Sequence, residues 1–159
     1  MTIIVCVDRN WAIGRDNQLL FRISADLKRV KALTMGRVLL MGQNTFESLP
    51  GKLPGRPHVV LSWDPDFAPE GVTVCRTLEE GIAAAKALGE VFVFGGASVY
   101  AAMLPYCDTA LVTQVDAAVT GADAFFPSLD KLPDWRLAQA GEWQEEQGVR
   151  FRFTEWRKE

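Results

Sequence analysis

Metal-binding and nucleophile-activating side chains are scarce in this sequence. His58 is its one histidine, and its three cysteines, Cys6, Cys75 and Cys107, lie far apart and form no CxxC pair. That leaves too few donors at the usual spacing for a zinc site and gives no sign of a disulfide framework. Buried free thiols in a reducing cytoplasm are the expectation. A Ser-His-acid triad would have to use His58, and no GxSxG elbow accompanies it. The GxxxxGK(S/T) loop of nucleoside triphosphatases is missing, as is the GxGxxG of dinucleotide-binding βαβ units. Long apolar runs are missing too. The first, Ile3 to Val7, meets Asp8 and Arg9 at once, so neither a signal peptide nor a membrane span is expected. Charge of one sign is also lacking: the formal net charge is −3, so no global field draws the chain to nucleic acid or an acidic membrane.

What is present is a globular composition, 48% hydrophobic and 23% charged over 159 residues. A chain of that size buries roughly two thirds of its extended surface, enough for a full core. No repeat, low-complexity tract or linker interrupts it, so residues 1–159 read as one domain. Thr2–Val7 is an apolar, β-branched run of the kind found in central strands. Residues 8–23, with Asn10, Gly14, Asp16 and Asn17, read as a long loop. Ser24–Leu33 reads as a helix, Arg37–Met41 as a strand, Gln43–Leu49 as a short helix and Pro57–Ser62 as a strand after a Pro/Gly-rich turn. A loop at Asp64–Gly71 and a short strand at Val72–Cys75 precede the clearest helix, Thr77–Leu88. There Thr77 and Glu80 form a capping box, and Leu78, Ile82, Ala85 and Leu88 make one stripe. Val91–Phe94 is a buried strand ending in Gly95-Gly96, followed by a helix over Ala97–Leu104 and a strand over Thr109–Asp116. The tail from Trp135 to Trp156 holds two extended runs. This order predicts an α/β fold: a mostly parallel, twisted central sheet with antiparallel C-terminal edge strands and helices on both faces.

Three places could carry chemistry. Gly95-Gly96 ends a buried strand at a helix N-terminus, where uncovered backbone N–H groups suit a pyrophosphate, although a tight turn with no ligand fits equally. In a helix over Ser24–Leu33, Asp26 shares a face with Val30 and Leu33, with Leu27 flanking, while Lys28 and Lys31 project the other way. An acid inside an apolar arc has a raised pKa, which suits proton management near neutrality. The plainer reading makes Ser24 the N-cap and Asp26 the second helical position, where an acid offsets the helix dipole. Arg56 follows Pro54-Gly55, the signature of a type II turn. A guanidinium held there suits carboxylate recognition, and a solvated strand-edge charge is the alternative.

Together these pieces resemble dihydrofolate reductase, in its bacterial chromosomal form, over essentially the whole chain. The resemblance is carried by Ile13-Gly14-Arg15-Asp16-Asn17, Ser24-Ala25-Asp26-Leu27-Lys28, and Met41-Gly42-Gln43-Asn44-Thr45-Phe46-Glu47-Ser48. Further along it is carried by Leu53-Pro54-Gly55-Arg56, Val59-Val60-Leu61-Ser62, Phe94-Gly95-Gly96-Ala97-Ser98-Val99-Tyr100, and Thr113 before Asp116. Each is modest alone; in this order and spacing they are specific. The resemblance implies NADPH-dependent reduction of 7,8-dihydrofolate to tetrahydrofolate, in support of one-carbon metabolism and thymidylate synthesis. Hydride would go to pterin C6, and Asp26 would hold the ring's amidine-like edge and promote protonation at N5.

It further implies that Thr113 bridges Asp26 and the pterin amino group through water, with Phe21 beside them. Arg56 would clamp the α-carboxylate of the glutamate tail. Ile4, Val5, Leu27, Val30, Leu49, Leu53 and Phe94 would wall the substrate pocket. Cys6, Ala12, Ile13 and Tyr100 would line the nicotinamide side, and Gly95, Gly96, Ala97, Ser98 and Val99 would cradle the pyrophosphate. Gly14, Asn17, Leu19, Gly42, Gln43, Asn44, Thr45, Leu61, Ser62, Trp63 and Arg76 would complete the cofactor site, with residues 9–23 as a mobile lid. A cytoplasmic monomer that binds antifolate inhibitors, and neither metal, nucleic acid nor membrane, is expected.

The chain departs from the family pattern in places. Leu20-Phe21 stands where most relatives have Pro-Trp, Ser24 replaces a usual Pro, and Val30 stands where many have Phe, which enlarges the pterin pocket. Gln43-Asn44 replaces an Arg followed by His or Lys that helps bind the adenosine 2′-phosphate. Thr45, Ser62 and Arg76 remain for that phosphate, so NADPH is expected with weaker discrimination against NADH. Two rival readings are a related reductase of the same fold, such as that of the riboflavin pathway, and a non-catalytic folate- or nucleotide-binding protein. The Asp26 helix pattern argues against the first, and Asp26, Thr113 and Arg56 together argue against the second.

Overall fold

Runs of Val, Ile and Leu form the inner strands, because branched side chains suit a sheet covered on both faces. The computed structural model describes residues 1–159. In chain order its elements are β1 (Thr2–Val7), β2 (Ala12–Arg15), β3 (Gln18–Leu19), α1 (Ser24–Thr34), β4 (Val38–Gly42), α2 (Gln43–Ser48), β5 (His58–Leu61) and β6 (Thr73–Cys75). There follow α3 (Leu78–Leu88), β7 (Val91–Gly95), α4 (Ala97–Met103), β8 (Thr109–Val115), β9 (Ala124–Phe125), β10 (Trp135–Ala140), β11 (Gln144–Glu146) and β12 (Val149–Lys158).

The main sheet has nine strands in the order β10-β12-β8-β1-β7-β4-β5-β6, with β11 added beside β12. Strands β8, β1, β7, β4, β5 and β6 run parallel, and β12 turns the C-terminal edge antiparallel. This is the mixed sheet that the element order predicts. The tail contains three strands rather than two, because β11 and β12 form a hairpin. Its turn is Gln147-Gly148, with φ of 51° and 79°, the paired positive φ of a type I′ turn.

Alternation along the strands divides the core between two faces. Leu40, Val59, Val93 and Val112 face one side, where α3 and α4 bring Ala85, Val99 and Met103. Ile4, Leu39, Met41, Val60 and Phe92 face the other, where Val30 and Leu33 of α1 and Phe46 of α2 cover them. On α3 the Thr77 hydroxyl accepts the Glu80 N–H at 3.1 Å, but the Glu80 carboxylate takes the N–H of Arg76, not of Thr77, so the box is half formed. Leu78, Ile82 and Ala85 pack on the core as the stripe predicts, with Gly81 buried beside them; Leu88, expected in the stripe, is 51% exposed on the last turn.

Residues 8–23 are not simply a loop. Strands β2 and β3 make a hairpin across Asp16-Asn17, both at positive φ, and β9 joins them from more than a hundred residues away. Strands of four and two residues are too short to print a periodicity. The buried Asp8 carboxylate ties this segment down by accepting the N–H groups of Asn10, Ala12 and Val119. No helix is long and apolar enough to cross a membrane.

Candidate active site

The carboxyl ends of β1, β4, β5 and β7 open into a cleft of about 770 Å³. Crevices there are where open α/β sheets bind ligands. Val5, Cys6, Gly42, Leu61 and Phe94 line it from the strand ends, and Ile13, Gly14, Asn17 and Leu19 close it from the hairpin. Gln43, Asn44 and Thr45 of α2 and Ala97, Ser98 and Val99 of α4 present their first turns to it. Both helices begin after a glycine, Gly42 and Gly96, with no side chain capping the first N–H groups. Asn17 donates its side-chain amide to the Asn44 carbonyl at 3.2 Å, which fastens the hairpin tip across the cleft.

Most residues assigned to the cofactor by resemblance therefore share one cavity, including Ser62, Trp63, Gly96 and Tyr100, and Val5 of the substrate group joins them. Ala12, Gly95 and Arg76 do not line it. Ala12 is sealed beneath the hairpin, and Gly95 lies under the Tyr100 ring. Arg76 spends its guanidinium on the carbonyls of Ser62, Asp64 and Phe67. The Ser62 hydroxyl donates to Gln43 Oε1 at 2.5 Å. Arg15 is the cation in the lining, and it leans on Asp16 at 3.7 Å. Arg15, Gln18, Ser48, Asp123 and Ala124 line the cleft without having been expected there. Recognising the hairpin would have brought in the first two; nothing local marks Asp123.

Beside this cleft lies a second region, on the α1 side of the sheet. Cys6 and Thr113 are register partners on β1 and β8, so both present side chains to the underside of α1. The Thr113 hydroxyl donates directly to Asp26 Oδ1 at 2.5 Å. Thr113 was expected to reach its partners through water; its contact with the acid needs none. Burial pushes the Asp26 carboxyl above its ordinary range, against the Thr113 hydrogen bond and the nearby Arg29 cation, which pull it back. The same burial, with Asp26 adding to it, drives the Cys6 thiol and the Tyr100 phenol well up, so both stay neutral. Tyr100 donates to the Ile4 carbonyl at 2.7 Å.

Ser24 is not the N-cap of α1. Ile23 holds that position, and the Glu146 carboxylate accepts the N–H groups of Ser24 and Ala25 at 2.7 and 3.1 Å. Asp26 is thus the third helical residue rather than the second, still within the first turn, and β11 adds a second anion there. The expected pocket residues Ile4, Val30, Leu49, Leu53 and Phe94 pack in one apolar cluster, and Phe94 also borders the cleft. Phe21 packs with Cys6 in a neighbouring cluster. Leu27 flanks the arc but is 44% exposed.

Arg56 is not a solvated strand-edge charge. Gly55 has φ of 76°, as its turn requires, and the Arg56 side chain turns inward. Its Nε donates to the Pro54 carbonyl and its Nη1 to the Thr34 hydroxyl, both at 3.1 Å, which fixes the fork at the C-terminal end of α1. His58 is buried, and its Nε2 accepts the Leu53 N–H at 3.1 Å. Burial lowers its pKa, so it is a neutral scaffold for that turn.

The family model described as Dihydrofolate reductase matches residues 1–158. The chain is 35% identical over 156 residues to a dihydrofolate reductase of Neisseria meningitidis serogroup B, covering 97% of this chain and 95% of the relative. It is 38% identical over 127 residues to a type 3 dihydrofolate reductase of Salmonella typhimurium, covering 80% and 78%. Among solved structures it is similar to dihydrofolate reductase from Enterococcus faecalis complexed with NADP(H) and RAB-propyl. That likeness has a TM-score of 0.88 at 28% identity and covers 99% of this chain and 95% of the other.

Proposed function

This chain belongs to the dihydrofolate reductase family, and from that premise we propose that Asp26 manages the proton for NADPH-dependent reduction of 7,8-dihydrofolate. The observation that carries the reading is the Asp26 carboxyl itself: half-buried and bonded by Thr113, whose register partner Cys6 lines the cleft. When bound, NADPH supplies the hydride that goes to pterin C6. The residues present fit that cofactor. Uncapped first-turn N–H groups after Gly42 and Gly96 suit a pyrophosphate. The small, neutral wall of Val5, Cys6 and Ile13 suits a flat nicotinamide.

Asp26 holds the amidine-like edge of the pterin and biases N5 toward protonation; burial lets it keep a proton to higher pH than an ordinary carboxyl. Thr113 orients that carboxyl. Ile4, Val30, Leu49, Leu53 and Phe94 shield the ring and benzoyl group from water, and Phe21 closes the near side. The Arg56 fork, already oriented by Pro54 and Thr34, takes the substrate's tail carboxylate. The β2–β3 hairpin covers the reacting atoms during transfer.

The test mixes protein, dihydrofolate and NADPH and follows the cofactor's near-ultraviolet absorbance. Asp26→Asn should bind both ligands yet turn over about 10²–10⁴ times more slowly, most severely at neutral and higher pH. A wild-type rate in that variant at neutral pH overturns the reading.

A further inference from the structure

Most arginines beside acids in this protein are ordinary surface pairs: Arg9 and Arg150 share Asp116, and Arg37 pairs with Glu90. Arg29 differs. Its guanidinium carbon lies over the Phe153 ring, 4.3 Å from the centroid, and the side chain is half-buried between α1 and β12. Two independent placements bring it to the acid. On α1 it stands three residues after Asp26, one turn along the same face. Across the sheet, Phe153 is the register partner of Thr113, the residue that bonds Asp26. The ring therefore fixes the cation on the flank of the carboxyl, and a planar, delocalised guanidinium suits such stacking better than an ammonium.

We propose that Arg29 is a positioning residue for this enzyme: held on Phe153, its cation sets the pH range over which Asp26 holds a proton for the substrate. The proposal rests on the reading of Asp26 given above. The groups facing Asp26 are few. From β8 comes Thr113, from β1 Cys6 and from α4 Tyr100; the last two are neutral and cannot replace a cation. From β12 comes Glu155, which draws on Arg29 but is itself paired with Arg157 at 2.7 Å. Glu146 and Lys28 sit at the helix start, where Glu146 is engaged with the Ser24 and Ala25 N–H groups. Arg29 is thus the cation that counterbalances burial of the acid.

Removing a nearby cation disfavours the ionised carboxylate, so Asp26 should then release its proton at higher pH. The direct readout is the carboxyl ¹³C titration of Asp26 in ligand-free protein, assigned by its disappearance in Asp26→Asn. Arg29→Gln should move that titration to higher pH. Arg29→Met, which keeps an apolar stem on the Phe153 ring, should move it as far, and Arg29→Lys should stay nearer wild type. In single-turnover hydride transfer the falling limb should move with it. On that limb both uncharged variants should be about three- to tenfold faster than wild type. An unmoved titration in both uncharged variants overturns the proposal. So does an Arg29→Lys shift as large as theirs, because packing rather than charge would then be responsible. Failure of the underlying reading looks different: Asp26→Asn would transfer hydride at the wild-type rate whatever the Arg29 titrations gave.

Discussion

Replacing Gly95 with alanine should cost about 2–5 kcal/mol of folding stability, a backbone term plus either a packing or a hydrogen-bond term. The backbone sits at φ +106°, which L-residues avoid, at roughly 1–2 kcal/mol. A Cβ built there lies 2.8 Å from Cε2 and 3.0 Å from Cζ of Tyr100. The ring has no easy retreat. It is 5% exposed, stands edge-on to Phe126 at 5.0 Å, and donates its hydroxyl to the Ile4 carbonyl. Overpacking of that kind costs about 1–3 kcal/mol. If the ring yields instead, the buried hydroxyl loses its partner at a similar cost of about 1–3 kcal/mol. Gly148→Ala supplies the control, because its φ is +79° and nothing lies within 4 Å of the added methyl. It should lose only the backbone share, about 1–2 kcal/mol. Urea unfolding followed by tryptophan fluorescence measures both. If the two variants fall within about 0.5 kcal/mol of each other, the packing account of Gly95 is refuted. The Gly95 variant should also bind NADPH more weakly, since Tyr100 forms part of the cleft wall.

Glu146→Gln should lower the thermal midpoint at pH 7, with the difference from wild type shrinking in acid. The Ser24 and Ala25 N–H groups hold the Glu146 carboxyl below its ordinary range. Its stabilisation is therefore complete above the usual glutamate range and lost as pH falls through the depressed native value. Melts across that range check it; a constant difference would contradict it. At the other side of the cleft, Gln43→Arg should raise the kcat/KM preference for NADPH over NADH by about tenfold, the value of one charged contact in a half-open site. Steady-state comparison of the two cofactors checks this, and the wild-type preference should be modest because Arg76 is committed to loop carbonyls.

Much of this architecture is legible from local pattern. The apolar runs at Thr2–Val7, Val91–Gly95 and Thr109–Val115 are inner strands because nothing else buries both faces of such a segment. The face shared by Asp26, Val30 and Leu33 follows from helical spacing alone. What escapes a local reading is set by partners distant in sequence. Glu146, not Ser24, holds the start of α1, and no pattern near residue 24 announces it. Arg76 resembles a free phosphate ligand until the carbonyls of the 62–67 loop close on it. Arg29 resembles a surface cation until β12 places Phe153 beneath it. The β2–β3 hairpin had a signal, Asp16-Asn17 in a two-residue turn, but its strands are short and its third strand lies near residue 124.

The separation in sequence of the parts around Asp26 also bears on when the site can form. The Thr113 contact spans 87 residues and the Ser24–Glu146 contact 122. Strand β1 precedes β7 and β8 in the chain, lies between them in the sheet and must wait for both. On the ribosome, then, the helix carrying Asp26 emerges early without its cap, its hydroxyl partner or the aromatic ring beneath its neighbour. Synthesis must pass Phe153 before the acid meets all of its surroundings, so a chain stalled before that point should lack the finished site and leave its uncovered strands exposed to association with other chains.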